Sequence, residues 1–484
     1  MDKPSPLSRA REYERAHTAD DPSERPLFHL TPPVGWMNDP NGFCRYQGEY
    51  HLFYQYHPYS AQWGPMHWGH AVSGDLLRWR YLPCALAPDT AADAGGCFSG
   101  SALPLADGRL MLAYTGVAGE PPRQAQCLAF GDGVDFEKYP GNPVLPPEQL
   151  PPDCRSADFR DPKLWQGTDG TLFMAVGDRH RADSGTVLLL SSRDGLQWDF
   201  RGALDSGRAR LGQMWECPDF FALDGRQVLL VSPQEMQGGG DFHPGHHALA
   251  LLGRYDEAAC RFTREAALPL DWGLDFYAPQ TVLAPDGRRI LIAWMENWGY
   301  CQQTPRRHSW YGQMTLPREL RLADGRLLQQ PVAELARYWQ GTVRREADLT
   351  PAPLRLPGIS GRTLDLTLLL TPGEGRPRFT LRLAADEAHE TLVLYDFARQ
   401  ELVFDRSACG SRQDLAHIRR VPAAPRAGSL RLRLILDRES AELFIGEGET
   451  VLSCRIDTPQ RAGDITFAAD GPLHIAAQAH PLGI

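Results

Sequence analysis

Three acidic residues far apart in the chain, Asp39, Asp161 and Glu216, keep one distance from a repeated glycine. Each lies nine positions before a member of the series Gly48, Gly108, Gly170, Gly225 and Gly287, whose steps are 60, 62, 55 and 62 residues. The other two positions in this phase are Ser99 and Ala278. Taken singly, Asp39-Pro40-Asn41-Gly42 and Asp161-Pro162 read as turn-forming strings. Three acids in phase, one of them a glutamate with poor turn credentials, read as a set. A repeat brings equivalent positions around a common axis, so the three should converge. Two carboxylates facing one another across a pocket can cleave a glycosidic bond, one ionised as nucleophile or base and the other protonated as acid. Asp39 follows Asn38 and precedes a turn whose N–H groups could keep it charged, which assigns it as nucleophile. Glu216 lies between Trp215 and Cys217-Pro218, an apolar wrapper that should raise its pKa and make it the acid/base. Asp161, beside Arg160, should stay ionised and accept hydrogen bonds from sugar hydroxyls, with Arg160 as a forked donor.

The elements that must position these residues are strands. Each glycine of the series opens an apolar run: Tyr50 to Gln55, Leu110 to Tyr114, Leu172 to Val176, Val228 to Val231 and Ile290 to Trp294. Four of the five glycines lie in an Asp-Gly pair, a strong hairpin signal. A second element keeps the same period: Asp75 before Trp79, Asp132 before Phe136, Asp194 before Trp198 and, more loosely, Asp256 before Phe262. Units of about 60 residues built of strands and turns, repeated radially, predict a five-bladed β-propeller over residues 28–335. Beyond Leu335 the period vanishes. After a connection at 336–350 and the punctuation of Pro351, Pro353, Pro357 and Gly358, alternating runs at 364–370, 379–383, 391–395, 430–436, 441–445 and 474–477 predict a β-sandwich over 351–484. The fold expected is all-β, with one short helix between Leu7 and Ala16 in an N-terminal segment, residues 1–27.

Composition agrees and excludes. Among 484 residues, 46 Gly and 40 Pro suit strands and turns better than helices. A formal charge of −10 without a long Lys/Arg run argues against nucleic acid as partner. No stretch approaches the length of an apolar membrane span, and Met1 to Pro26 lacks the apolar core of a signal peptide. Ten scattered cysteines without a CxxC pair read as reduced, mostly buried thiols, which together with the missing export signal points to the cytoplasm. His243, His246 and His247 lie among Gly238, Gly239, Gly240, Pro244 and Gly245, so a flexible loop is preferred to a metal site. Cys217 reads as a small buried neighbour of the acid. Trp79 and Trp198 fit core roles, whereas Trp36 and Trp294, at or beside the inner strands, are assigned to sugar stacking.

Trp36-Met37-Asn38-Asp39-Pro40-Asn41-Gly42, Phe159-Arg160-Asp161-Pro162 and Glu216-Cys217-Pro218 resemble the three signature motifs of glycoside hydrolase family 32. That family comprises invertases, sucrose-6-phosphate hydrolases, inulinases and levanases. Tyr50 to Gln55, Trp68-Gly69-His70, Phe98 to Ser101, Asp275 to Gln280, Leu316 to Leu320 and Asp437 to Phe444 also resemble family blocks. The resemblance implies a propeller joined to a sandwich and cleavage of terminal β-D-fructofuranosides with retention of configuration. It implies Asp39 as nucleophile on C2, Glu216 as acid/base and Asp161 as transition-state stabiliser. Trp36, Asn38, Gln55, Trp63, Phe98, Ser99, Arg160 and Trp294 match positions lining the fructose subsite. The partner implied is a small-molecule sugar; no metal and no organic cofactor are implied, and a homo-oligomer is left open.

The leaving group is not fixed by these motifs: sucrose, sucrose-6-phosphate and short fructooligosaccharides all fit. Arg306, Arg307 and His308 are candidates for meeting a phosphate, or else a solvated loop. A fructosyltransferase making fructooligosaccharides is the alternative enzyme, told apart by early kestose-type products. A non-catalytic sugar-binding propeller is disfavoured by the presence of all three acids, and an arabinan-cleaving enzyme by the Trp-Met-Asn-Asp-Pro-Asn string.

Overall fold

The computed structural model describes residues 4–18, 25–180, 183–208, 210–303, 307–410 and 416–483. Seven sheets are formed by these residues. The first five follow one another along the chain, and each begins with the strand that carries one phased position. Those first strands are Gly35–Tyr46, Gly96–Pro104, Phe159–Gln166, Met214–Leu223 and Tyr277–Leu283. The second strands, Glu49–His57, Leu110–Ala118, Leu172–His180, Arg226–Gln234 and Arg289–Trp294, return antiparallel through tight hairpins. Their glycines hold φ between 78° and 89°, which a side chain resists and glycine accepts; this is why the series is glycine. The repeated aspartates close turns further out: Asp75, Asp132 and Asp194 each accept two backbone N–H groups two and three residues ahead, and Asp256 accepts that of Ala259.

The five first strands touch in chain order, and Tyr277–Leu283 also touches Gly35–Tyr46, so the contacts close on themselves. A further strand, Trp310–Tyr311, adds parallel to Gly35–Tyr46 and gives the first sheet five strands rather than four. Between neighbouring sheets lie separate apolar clusters, one built around Phe53, Trp68, Leu112 and Tyr114, another around Ala175, Leu189, Trp215 and Leu229.

The remaining two sheets, of six and five strands, share one core that includes Leu366, Leu368, Phe379, Leu381, Phe404 and Phe467. Each of the six runs read from the sequence beyond residue 351 is a strand here. Val343–Leu349, expected as connection, is instead an edge strand paired with Leu473–Pro481. Its Val-Arg-Arg-Glu-Ala-Asp-Leu sequence is mostly exposed, and charge on an edge strand hides it from a search for apolar alternation.

Buried ion pairs join this region to the first five sheets. Arg318, fully buried, bonds Asp271 at 2.8 Å and Glu442 on the far side at 3.0 Å through Nε. His29, just before the first strand, lies between Asp437 and Glu442, at 2.8 Å from each. The helix Pro6–His17 is N-capped by Ser5 and docks through Glu14, which accepts the Cys84 N–H at 3.0 Å. None of the ten cysteines is in a disulfide, and nine are buried. No helix among the described residues is long and apolar enough to cross a membrane.

Candidate active site

Every first strand breaks its register where the phased residue stands. The pairing shifts between Met37 and Pro40, between Phe98 and Gly100, opposite the step from Arg160 to Lys163, between Glu216 and Asp219, and between Tyr277 and Gln280. A bulge turns a side chain out of the alternation, which is how an acid within a buried strand can face a cavity. Asp161 at φ 68°, Cys217 at φ 48° and Ala278 at φ 51° hold the left-handed conformation that side chains disfavour. Such local strain gathers at functional sites.

The three acids meet. A cavity of about 350 Å³ is lined by Asp39, Asp161 and Glu216 together with Asn38, Gln55, Trp63, Phe98, Ser99 and Arg160. Asp39 Oδ2 accepts from Ser99 Oγ at 2.7 Å. Asp161 Oδ2 accepts the Cys217 N–H at 2.9 Å, while the Asp161 N–H donates to Thr115 Oγ1 at 2.9 Å. Cys217 Sγ stands 3.6 Å from Asp39 Oδ2 and 3.5 Å from Asp161 Oδ2, so one atom spans the gap between the two carboxylates. The other oxygen of each, Oδ1, is buried and has no hydrogen-bond partner among the described residues. Glu216 is gripped on both oxygens. Arg160 Nε donates to Oε1 at 2.8 Å; Gln234 Nε2 and the Tyr277 hydroxyl donate to Oε2 at 2.7 and 2.6 Å.

Burial, and then the charge of Glu216, push the Asp39 carboxyl up to about 6 against the hydrogen bonds that favour its ionised form. Asp161 is raised by the same two causes, with Arg160 opposing them. The surroundings of the acids differ from those read in the sequence. The Asp39 string is part of a strand rather than a turn, and Asp39 is buried, with Oδ2 held by Ser99 rather than by turn N–H groups. Glu216 has no apolar wrapper: its chain neighbours Trp215 and Cys217 belong to other surroundings, and a guanidinium, an amide and a phenol surround its carboxyl. Arg160 serves Glu216 and Asp158, at 2.8 and 3.0 Å, before it can serve a ligand.

Trp36 and Trp294, assigned to stacking, are both 0% exposed and do not line the cavity. They pack with Trp298 and Tyr311 behind the wall, and of these four rings Trp298 alone lines the cavity. Trp63 stands at the mouth, 45% exposed, edge-on to Phe98. Gln124, Asp158, Gln234, Tyr277 and Trp298 escaped the sequence reading. Tyr277 adjoins the phased Ala278, and that adjacency was the available signal; the others arrive from second or third strands and from loops outside the period. Arg307 and His308 turn to the second region, onto the Asp457 carbonyl at 2.8 Å and Glu439 at 3.1 Å. Arg306 lies outside the described residues.

Comparison with known proteins fits this geometry. The model of the glycosyl hydrolases family 32 N-terminal domain matches residues 29–331, and that of the family 32 C terminal matches 332–480. A sucrose-6-phosphate hydrolase of Zymomonas mobilis is 39% identical over 450 residues, covering 88% of this chain and 84% of its own length. A raffinose invertase of Escherichia coli is 39% identical over 457 residues, 89% of each chain. Among solved structures, a β-fructofuranosidase of Bombyx mori is 36% identical with a TM-score of 0.84, over 98% of this chain and 97% of that one; a mutant of it is known in complex with sucrose.

Proposed function

Since the chain belongs to glycosyl hydrolases family 32 and is a hydrolase of β-fructofuranosides, we propose that it releases fructose from sucrose, sucrose-6-phosphate or short fructooligosaccharides with retained configuration. The observation that carries the mechanism is the meeting of Asp39, Asp161 and Glu216 in one cavity with unequal partners.

Asp39 Oδ2 is held by Ser99, which leaves Oδ1 to attack C2 of a fructofuranosyl ring. The C2–O bond to the leaving group breaks as a bond from Asp39 forms, giving a fructosyl-enzyme. Glu216 gives its proton to the departing oxygen, then takes one from the water that cleaves the ester and frees Asp39. Gln234 and Tyr277 fix its orientation through Oε2. Asp161 Oδ1 accepts fructose hydroxyls and stabilises the oxocarbenium-like charge. Asn38, Gln55, Phe98 and Arg160 complete the fructose subsite, with Trp63 and Trp298 toward the leaving group. Trp36 and Trp294 support that wall from behind.

We further propose that the five sheets with closed contacts are the blades of a propeller over 28–335, and that the last two sheets are a sandwich within 336–484 whose first strand is Val343–Leu349. Ten cysteines without a disulfide suit a reducing cytoplasm. The test is substitution: Asp39→Asn and Glu216→Gln should each lower kcat on sucrose at least about a thousandfold while the far-UV spectrum is kept. Activity near wild type in either variant refutes the assignment. Kestose-type products accumulating from the first turnovers would refute hydrolysis as the main outcome.

A further inference from the structure

The charges around the cavity select among the three leaving groups just named. Four carboxylates line it, Asp39, Asp158, Asp161 and Glu216, against one guanidinium, Arg160. Arg160 is committed: Nε to Glu216 at 2.8 Å, Nη1 to Asp158 at 3.0 Å and to Gln124 Oε1 at 3.3 Å. No Lys and no second Arg lines the cavity among the described residues. The rest of the wall includes the neutral Trp63, which is 45% exposed, Trp298 and Gln124.

Among the described residues, the arginines next to Asp158 are engaged elsewhere. Arg155 and Arg179, which flank Asp158 in the fold, converge on Asp183 at 2.9 and 3.2 Å, and Arg179 also reaches Gln213 at 2.5 Å. The Arg179 N–H donates to the Asp158 carbonyl at 3.1 Å, which ties this strand end to the rim. Arg307 and His308, the sequence candidates for a phosphate, face Asp457 and Glu439 instead.

We infer that the leaving group is uncharged: sucrose or a short neutral β-fructoside is the substrate, and sucrose phosphorylated on its glucosyl unit is discriminated against. This rests on the β-fructosidase reading above and adds the chemistry of the neighbouring subsite to it. A phosphate dianion entering beside Asp158 meets negative charge with no Lys or second Arg lining the cavity among the described residues, whereas glucose hydroxyls find an indole face. Charge repulsion over a few ångströms in a partly wet cleft is worth on the order of a tenfold change in kcat/KM.

The test compares purified full-length enzyme on sucrose and on sucrose-6-phosphate at pH 5.5 and 7.5. Sucrose should be preferred at least about tenfold at pH 7.5. The preference should shrink at pH 5.5, where the phosphate, with its second pKa near 6, carries about one charge less. Asp158→Asn should narrow the ratio by about threefold at pH 7.5, since it removes one rim charge. Equal or better turnover of sucrose-6-phosphate at pH 7.5 overturns this inference and leaves the β-fructosidase reading standing. Absence of turnover on both substrates overturns the β-fructosidase reading itself, and this inference with it.

Discussion

Two places in this molecule bury charge, and they do it oppositely. At the junction with the last two sheets, cations and carboxylates are matched: His29 with Asp437 and Glu442, Arg318 with Glu442 and Asp271, Arg455 with Glu296 and Glu439. Against burial, Arg318 and His29 hold the Glu442 carboxyl down to about 2, and the same kind of pairing lowers Asp437 and Glu439. His29 is lifted to about 9 by its two carboxylates despite its burial. Burial still outweighs pairing at Asp271, which is raised. In the cavity, four carboxylates stand against one arginine, and Asp39 and Asp161 are raised. Matched charge holds parts together; unmatched charge is left free to react.

The contrast can be broken most forcefully at Asp39. Asp39→Asn should abolish all but about a thousandth of turnover, yet leave Tm unchanged or higher, because a carboxyl with a raised pKa destabilises the fold when ionised. A loss of Tm as large as that of a junction variant would erase the distinction. Glu442→Gln is that junction variant. It takes from Arg318 and from His29 one of the two carboxylates each holds and should cost about 3–5 kcal/mol in urea unfolding. A change below about 1 kcal/mol would show that the junction's pairing does not hold the two regions.

pH separates the two regions in direction. The nucleophile must be ionised, and with Asp39 at about 6, kcat/KM for a neutral substrate should fall tenfold per unit on the acid side of pH 6. An acid limb near pH 4, the ordinary carboxylate range, would contradict the burial argument. His29 has a folded pKa raised from 6.5 to about 9, so its contribution is fully present below pH 6.5 and is lost as pH rises through 9. Unfolding free energy should therefore decline between pH 7 and 10, and His29→Gln should flatten that slope. The smallest effect is expected at the rim: Trp298→Ala should raise KM for sucrose by roughly tenfold with little change in kcat, as loss of a stacking face does. An unchanged KM would place the stacking surface elsewhere, on Trp63 in the first instance.

What could be read from the chain followed from its period. Hairpin glycines and phased acids mark positions that the backbone geometry itself repeats, so Asp39, Asp161, Glu216, Ser99 and the strands that carry them were all visible. Quantities set across strands were not. In a strand, sequence neighbours point to opposite faces, so Trp215 and Cys217 told nothing about what surrounds the Glu216 carboxyl. Its true partners come from two other sheets and from its own second strand, as Arg160, Tyr277 and Gln234. For the same reason, an indole beside an inner strand, such as Trp36 or Trp294, could not be told from one facing the cavity, such as Trp298. The His29 junction joins residues about 400 positions apart, with no local pattern to announce it.

The central claim, that Asp39 Oδ1 is the atom that takes the fructosyl unit, can be tested by trapping. Glu216→Ala, supplied with a β-fructofuranosyl donor whose leaving group needs no protonation, should accumulate a fructosyl-enzyme, because the step that requires the base is slowed. Peptide mass mapping is expected to find one added fructosyl mass on the peptide containing Asp39. The same mass on the peptide containing Asp161, or rapid turnover without any adduct, would contradict the account.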